Sequence, residues 1–509
     1  MNSAGGRQTL YGMRQRIGLV LGPALFVLIF LLPLPGGMSP AAWKVAAVAA
    51  LMAVWWITEA APLAATALLP AALFPAMGIM KASEATAPYA NHLIFLFLGG
   101  FFIAVTMEKW NLHKRVALFT IRHVGTGTDR IILGFMIATA FLSMWISNTA
   151  TAMMMVPIGI AVIRQVTSSD GYGGENGDTG PPAAPGFGAA LMLAIAYSAS
   201  IGGVATLIGT PPNVIFAGFI ESTYGRSVSF LSWMAVGLPL AVVMLAFTWF
   251  YLTRFVFRLG SEELAGGMAC IEEESRELGP VSPAEKKIMA VFLLVAAGWI
   301  VRGLVDIPGA GMTADSTIAI IGALLLFLMP ADLKSGEFLL DWKTASKVPW
   351  DVIILFGGGL SLAAGFRVSG LDQWIGRSVT FLDGVNYAVL ISAVALLTIF
   401  LTEVTSNTAT SAMLIPIISG VAISMSIHPY GPIVAVCIAA SYAFMLPVAT
   451  PPNAVVFGSR QVTITQMVRA GLVLNIFGWL LITLLVALLL PLLWGIDPAE
   501  LPSWIAPQG

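Results

Sequence analysis

The sequence predicts an all-α polytopic membrane protein, and three observations support this fold class. Of the 509 residues, 58% are hydrophobic and only 10% are charged, whereas roughly a quarter of an average soluble protein is charged. Nineteen of the 25 basic residues can be placed on one side of a membrane. The apolar residues form long blocks, several near the ~20 residues that span a bilayer as a helix. These blocks are 17–34, 41–57, 93–105, 233–252, 288–301, 318–329 and 470–494.

The first block follows a basic N-terminal stretch that contains Arg7, Arg14 and Arg16. No small-residue cleavage site follows the block, so we interpret it as a retained helix rather than a signal peptide. Basic residues favour the cytoplasmic side of a membrane, which places the N-terminus in the cytoplasm.

Nineteen of the 25 basic residues fall on the cytoplasmic side in this orientation, which is a strong positive-inside bias. They are Arg7, Arg14, Arg16, Lys109, Lys114, Arg115, Arg122, Arg130, Arg164, Arg254, Arg258, Arg276, Lys286, Lys287, Lys334, Lys343, Lys347, Arg460 and Arg469. The six outside are Lys44, Lys81, Arg226, Arg302, Arg367 and Arg377. The bias holds only if segments 131–164 and 387–427 are re-entrant hairpins. About eleven spanning helices then remain, and the C-terminus lies outside.

Two stretches are too polar to lie in a membrane. The Gly/Pro/Asp-rich insert at 168–186 is predicted to be a cytoplasmic loop, and 260–287, with its mixed charges, is predicted to contain a short surface helix.

An internal repeat links the two halves of the chain. The sequence Ser-Asn-Thr-Ala-Thr occurs at 147–151 and again at 406–410, and Thr-Pro-Pro-Asn occurs at 210–213 and again at 450–453. Because the first hairpin enters from the cytoplasm and the second from outside, the repeats have inverted topology. Many secondary transporters are built in this way.

The repeated residues favour binding of ions within the membrane. Thr-Pro-Pro removes two backbone donors and leaves carbonyl oxygens without helical partners, and these are tolerated at membrane depth only where something polar uses them. Hydroxyl, amide and carbonyl oxygens suit a cation such as sodium. Asn amides, Thr hydroxyls and the N–H groups of half-helix N-termini suit an oxyanion. The alternative is that these residues only join and kink helices. This alternative would fit a single copy of each motif better than motifs that occur in both halves of the chain.

Other function classes lack support in the sequence. No HExxH, GxSxG or paired-carboxylate motif is present, so we predict no enzyme and no cofactor beyond coupling ions. A net charge of −1 argues against a nucleic-acid partner. Glu59 and Glu403 are ionisable groups in apolar surroundings, and each is either functional or tied to backbone donors at a helix end.

The motifs, together with Thr58-Glu59-Ala60-Ala61-Pro62 through Leu68-Leu69-Pro70, identify the chain as similar to the divalent anion/sodium symporter family of di- and tricarboxylate and sulfate transporters. The resemblance covers essentially the whole length. It implies a homodimer and an elevator mechanism, in which a transport domain moves against a scaffold domain. It divides the chain into scaffold helices (1–130), a transport part (131–232), scaffold helices and a linker (233–386), a second transport part (387–469) and a C-terminal helix (470–509).

The resemblance also implies the site. One sodium site uses Ser143, Ser147, Asn148 and Gly209, and the other uses Thr402, Ser406, Asn407 and Ala449. The anion lies between them, on Asn148, Thr149, Thr210, Asn407, Thr408, Thr450 and Pro451.

Cation coupling has a separate physical argument. No Lys or Arg lies within the four motif blocks, and burying a dianion without positive charge is very costly. We therefore predict sodium-coupled symport of a divalent anion, most simply a C4-dicarboxylate such as succinate, in the inner cell membrane. The alternatives are a sodium-independent dicarboxylate exchanger and a sodium/sulfate symporter.

Overall fold

A computed structural model describes residues 12–125, 127–169, 186–259, 267–305, 313–334, 336–378 and 384–505. Arg7 and residues 170–185 of the predicted insert lie outside these ranges. Residues 267–277 form a helix within the stretch predicted to contain a surface helix.

The described helices of the first half are α1 (Met13–Leu31), α2 (Pro40–Thr58), α3 (Leu63–Ala67), α4 (Leu69–Ala76), α5 (Ala82–Thr86), α6 (His92–Lys109), α7 (Leu112–Val124), α8 (Thr128–Ser143), α9 (Asn148–Ser169), α10 (Phe187–Val204), α11 (Pro211–Tyr224) and α12 (Phe230–Tyr251). A 3-10 turn at Ala87–Ala90 precedes α6, and a π-helix at Leu252–Val256 continues α12.

The second half contains α13 (Gly267–Glu277), α14 (Pro283–Leu304), α15 (Asp315–Leu328), β1 (Pro330–Asp332), β2 (Glu337–Phe338), α16 (Trp342–Ala345), α17 (Trp350–Ser369), α18 (Leu371–Ser378), α19 (Tyr387–Thr402), α20 (Asn407–Ser424), α21 (Tyr430–Ala439), α22 (Pro451–Gly458) and α23 (Ile464–Trp494). The two short strands pair antiparallel and are a minor exception to the all-α architecture.

Helices long and apolar enough to span a membrane confirm the predicted fold class. Within the described ranges there are nine. They are Met13–Leu31, Pro40–Thr58, Ala82–Lys109, Phe187–Val204, Phe230–Val256, Pro283–Leu304, Trp350–Ser369, Asn407–Ser424 and Ile464–Trp494. Shorter apolar helices accompany them. The count of about eleven spanning helices stays a prediction.

Both segments predicted as hairpins form two helices joined by a short turn. In the first, α8 ends at Ser143 and α9 starts at Asn148, and in the second, α19 ends at Thr402 and α20 starts at Asn407. The carbonyl groups of Ser147 and Ser406 accept the first helical hydrogen bonds of α9 and α20, at 3.0 and 2.8 Å. These serines therefore occupy the position that begins a new helix, where their residue type is favoured.

Each Thr-Pro-Pro-Asn motif restarts a helix after an irregular segment. The first segment joins α10 to α11 and the second joins α21 to α22. Thr210 and Thr450 have extended backbone and directly precede the prolines that open α11 and α22. Proline suits this position because its missing N–H would have no helical partner there.

The second halves of the broken helices cross between the repeats. Helix α22 packs against α9 and α10 of the first repeat, and α11 packs against α20 and α21 of the second. Helices α12 and α23 pack against each other, and they also contact α10 and α21, respectively. The two repeats therefore interlock around a shared centre.

Candidate functional site

A cavity of about 710 Å³ lies where the two repeats meet. Both Ser-Asn-Thr turns and both Thr-Pro-Pro starts line it, although they are up to about 300 positions apart in the chain. The seven residues predicted to bind the anion all line this cavity: Asn148, Thr149, Thr210, Asn407, Thr408, Thr450 and Pro451. Six of the eight residues predicted to bind sodium also line it: Ser147, Asn148, Gly209, Ser406, Asn407 and Ala449.

The remaining two, Ser143 and Thr402, are fully buried directly behind the cavity wall. Ser143 Oγ lies 2.6 Å from the carbonyl oxygen of Ala199 and 2.6 Å from a terminal atom of the Asn148 amide. When the Asn148 nitrogen faces inward, it lies 3.1 Å from Ala199 O and 3.3 Å from Gly209 O. One asparagine end group thus meets three oxygen atoms that come from three separate segments.

The second repeat has the same arrangement. Thr402 Oγ1 lies 2.7 Å from Asn407 Oδ1 and 2.9 Å from the carbonyl oxygen of Ala440. A hydroxyl group has a single proton and can donate to only one of two such acceptors. A cation at this point would accept electron density from all of these oxygens at once.

Two glycines allow these close approaches. A Cβ atom on Gly203 would lie 2.5 Å from Asn148 Oδ1, and a Cβ atom on Gly209 would lie 2.4 Å from the carbonyl oxygen of Gly203. Side chains at either position would therefore push Asn148 or the irregular segment away from its place. Gly209 presents backbone to the cavity because no side chain shields it.

The asparagines of the Thr-Pro-Pro-Asn motifs hold the irregular segments in shape. Asn213 Nδ2 donates to the carbonyl groups of Gly203, Val204 and Thr206, at 3.2, 3.3 and 2.7 Å. Asn453 Nδ2 donates to those of Ala443 and Leu446, at 3.1 and 3.0 Å. Both asparagines are completely buried. Sequence reasoning named the motifs but not this role for their asparagines.

Glu403 breaks the symmetry between the repeats. It is 3% exposed, and its carboxylate accepts hydrogen bonds from the backbone N–H groups of residues 444, 445 and 446, at 2.8, 2.9 and 3.0 Å. It also accepts one from the amide of Asn475, at 2.6 Å. The position equivalent to Glu403 in the first repeat is Met144. The Glu403 carboxylate is thus tied to backbone donors, which was one of the two alternatives for it.

Four charged residues line the cavity beside the motifs. They are Glu59, Glu108, Lys347 and Asp351. Sequence reasoning identified Glu59 but missed the other three, since they lie far from every motif and carry no spacing signal. Lys347 supplies a positive charge that the motif blocks lack, but three carboxylates accompany it. Fixed charge on this wall is therefore net negative and does not by itself neutralise a dianion.

No group of three or more His, Cys, Asp or Glu side chains suited to a metal ion occurs in the described part of the chain. The ligands that the four motif blocks offer to the cavity are neutral oxygens. Neutral oxygens fit a monovalent cation better than a transition metal, which prefers imidazole or thiolate ligands.

Comparisons with known proteins identify the family of the chain and related folds. The family model described as the sodium:sulfate symporter transmembrane region matches residues 14–496. A sodium-dependent dicarboxylate transporter, SdcS, of Staphylococcus saprophyticus is 44% identical over 493 residues, covering 96% of this chain and 94% of that protein. The protein of the same name from Staphylococcus aureus strain MRSA252 is 42% identical over 489 residues, covering 95% and 92%.

Two solved structures share the fold at low sequence identity. The YdaH transporter of Alcanivorax borkumensis aligns with a TM-score of 0.60 and 14% identity, over 95% of this chain and 98% of that one. MtrF of Neisseria gonorrhoeae aligns with a TM-score of 0.57 and 14% identity, over 92% and 94%. Both likenesses concern the fold alone.

Proposed function

The chain belongs to the sodium:sulfate symporter family, and from this membership we propose that it couples the inward movement of sodium to uptake of a C4-dicarboxylate such as succinate. It is a membrane transporter and not an enzyme. The name shared by the relatives that are 42% and 44% identical, sodium-dependent dicarboxylate transporter, supports the choice of ion and substrate.

The observation that carries the proposal is the pair of oxygen clusters on one cavity. Ser143, Asn148 and Gly209 surround one cluster, and Thr402 and Asn407 surround the other. We assign one sodium ion to each, completed by Ser147 in the first and by Ser406 and Ala449 in the second. Each ion neutralises part of the charge of the dianion beside it, so sodium and anion bind cooperatively.

The anion lies between the two sodium ions in this proposal. Asn148 and Asn407 offer amide N–H groups, and Thr149, Thr210, Thr408 and Thr450 offer hydroxyl groups. Pro451 contributes the apolar start of α22. Two carboxylates at the ends of a short chain match two half-sites that face each other across the cavity.

The protein is an integral membrane protein. We assign the N-terminus to the cytoplasm and the C-terminus to the outside of the inner membrane, from the distribution of basic residues. We also propose a homodimer in which residues 131–232 and 387–469 move as a transport domain against scaffold helices in 1–130 and 233–386.

Uptake by proteoliposomes tests the proposal. Labelled succinate should accumulate with an inward sodium gradient, depend more than linearly on sodium concentration, and fail to accumulate in choline. Counterflow that is equal in sodium and choline would identify a sodium-independent exchanger. Sodium-driven uptake of sulfate, uncompeted by succinate, would reassign the substrate.

A further inference from the structure

A side-chain contact joins three helices at the end of α6 that lies away from the cavity residue Glu108. His92 Nε2 lies 2.6 and 2.7 Å from the two carboxylate oxygens of Glu221, and His92 Nδ1 lies 3.2 Å from Ser316 Oγ. A neutral imidazole satisfies both contacts, since Nε2–H donates to the carboxylate and Nδ1 accepts from the hydroxyl. His92 is in the first turn of α6, Glu221 in the last turn of α11 and Ser316 in the first turn of α15.

A second contact holds the same end of α11. The Arg367 guanidinium, in the last turn of α17, donates to the carbonyl oxygen of Ser222, the neighbour of Glu221. Two helices therefore hold the final turn of α11 through independent side chains.

These helices connect the contacts to the cavity. In α6, His92 and the cavity residue Glu108 are 16 residues apart, which is ~24 Å along a helix. In α17, Asp351 and Arg367 are also separated by ~24 Å. Helix α11 starts in the cavity at Pro211 and reaches Glu221 after ~15 Å. Because a helix is a stiff rod, the position of its last turn determines the position of Thr210 and Pro211 in the site.

We propose that the His92–Glu221 and Arg367–Ser222 contacts form a latch, which holds α11 and the half-site at its start in the position of this structure, and which opens in every transport cycle. The inference rests on the proposed function, in which residues 131–232 move against 1–130 and 233–386. His92 and Arg367 belong to the scaffold ranges, and Glu221 and Ser222 belong to the moving range. Any displacement of α11 along its own axis breaks both contacts.

The strength of the latch suits a contact that opens repeatedly. The side chains of His92 and Glu221 are 40% and 29% exposed. A partly exposed hydrogen bond between an imidazole and a carboxylate contributes little, so this contact shifts the balance between two positions only a few-fold. It biases the resting position without locking it.

Reversible cross-linking tests the latch. The double variant His92→Cys/Glu221→Cys, in a Cys270→Ser background, is treated with a short reducible bis-methanethiosulfonate, which spans the space of the two original side chains. Before treatment it should take up succinate with sodium. After treatment uptake should fall at least tenfold, and a reducing agent should restore it.

A matched control uses an ion pair within the scaffold ranges. Lys109 Nζ lies 2.9 Å from Asp341 Oδ2, and both residues belong to the scaffold ranges. The cross-linked Lys109→Cys/Asp341→Cys variant should keep its uptake. Unchanged uptake in cross-linked His92→Cys/Glu221→Cys would overturn the latch, whereas loss of uptake in the control as well would show that the reagent rather than the position matters, and would also overturn it.

A second readout needs no transported substrate. In Met153→Lys, the new amine in the cavity wall does not react with the thiol cross-linker; it is labelled with an impermeant amine-reactive ester from each side of oriented vesicles, and labelling at position 153 is measured by peptide mass spectrometry. Cross-linking the latch should confine labelling to one side, and equal labelling from both sides would overturn the inference. An absence of sodium-driven uptake in the untreated protein would instead count against the proposed function, independently of this readout.

Discussion

At the scale of single residues, the proposed site depends on side chains that would each face two ligands. Asn148 and Asn407 each present an amide whose oxygen suits a cation and whose nitrogen suits a carboxylate. Ser143 and Thr402 sit behind them and contact both the amide and a backbone carbonyl oxygen. We therefore expect loss of Ser143 or Thr402, behind the amides, to affect sodium binding directly. Changes to the amides of Asn148 and Asn407 should affect the anion as well.

Replacing Asn148 or Asn407 by Asp should separate the two ligands. The change keeps the size of the side chain but exchanges a donor for an acceptor and adds a negative charge beside the anion. Succinate affinity should fall about 10- to 100-fold, since an unpaired acceptor costs about 1–3 kcal/mol, while sodium still binds. Thermal stabilisation by sodium, measured with and without succinate, checks this.

Ser143→Ala and Thr402→Ala are the comparison variants. They should raise the sodium concentration required for uptake and affect succinate only through coupling, so that saturating sodium partly restores succinate binding. If Asn148→Asp and Asn407→Asp bind both ligands as the wild type does, the site assignment is wrong.

Removing the Glu403 carboxylate should destabilise the protein. In Glu403→Ala the N–H groups of Met445 and Leu446 and the amide of Asn475 lose their acceptor. At about 1–3 kcal/mol for each buried unpaired donor, the loss should be at least about 3 kcal/mol, and smaller for Glu403→Gln. Chemical denaturation measures it. Glu59→Gln is the control, because Glu59 is exposed at the cavity wall, and a loss of similar size there would contradict the explanation.

His428 should make stability depend on pH. Burial lowers the pKa of its imidazole to about 4, despite the opposing charge of Asp497. Between pH of about 6.5, the ordinary value for histidine, and about 4, the unfolded chain binds more protons than the folded one. Stability should therefore fall as the pH falls through this window, and level off below it.

The variant His428→Asn keeps an acceptor at the position of Nδ1 for the N–H of Tyr430 and should flatten this pH profile of the melting temperature. His123, on an exposed part of α7, provides the control variant His123→Asn, whose profile should match the wild type. A persistent slope in His428→Asn would assign the pH dependence to other groups.

At the scale of elements, the irregular segments between α10 and α11 and between α21 and α22 are the parts that helix propensity does not explain. A buried asparagine amide in each stabilises carbonyl groups that would otherwise lack partners. The two segments, one in each repeat, are therefore stabilised by the same type of hydrogen bond. The shape of these two segments places Gly209, Thr210, Ala449 and Thr450 in the cavity wall.

Asn213→Asp and Asn453→Asp should therefore damage both segments equally. Each change points carboxylate oxygens at carbonyl oxygens 2.7–3.3 Å away, and should cost about 3 kcal/mol or more together with sodium-dependent stabilisation. Asn386→Asp is a matched control, because Asn386 caps α19 and Asp caps as well as Asn. Normal sodium-dependent melting shifts in Asn213→Asp or Asn453→Asp would contradict this account.

At the scale of the whole molecule, the interlocked repeats create one cavity from two half-sites. Helix α22 packs on the first repeat and α11 on the second, so helices of both repeats support each half-site. The lining away from the motifs has net negative charge, from Glu59, Glu108 and Asp351 against Lys347. A dianion bound in the proposed site would therefore depend on sodium for neutralisation, and we expect sodium and anion binding to be thermodynamically coupled.

This coupling should be reciprocal. The factor by which saturating sodium raises succinate affinity should equal the product of the factors by which succinate raises the affinities of the two sodium ions, and each of these is expected within the roughly 5- to 150-fold range of such couplings. Equilibrium binding of each ligand at zero and saturating levels of the other measures both factors, with choline replacing sodium at constant ionic strength. Succinate binding that is independent of sodium would remove the basis for symport.

The sequence by itself determined the fold class, the two hairpin turns and the two helix restarts. These follow from local chemistry: apolar blocks of spanning length, Ser before a new helix, and Pro-Pro at a helix start, repeated in both halves. Because both motifs are repeated, the sequence also predicted that the Ser-Asn-Thr and Thr-Pro-Pro residues belong to one binding site. The sodium and anion assignments to individual residues stay predictions.

Only the tertiary structure decided which distant residues share the cavity with the motifs and which hold it in place. Lys347, Glu108, Asp351 and the pair of His92 with Glu221 are brought to their positions by helix packing, and no periodicity or spacing encodes that packing locally. The same holds for Glu403, whose backbone donors lie about 40 residues away in the chain. Local sequence specifies where a helix begins and ends, whereas burial and partner depend on contacts between segments that are remote in sequence.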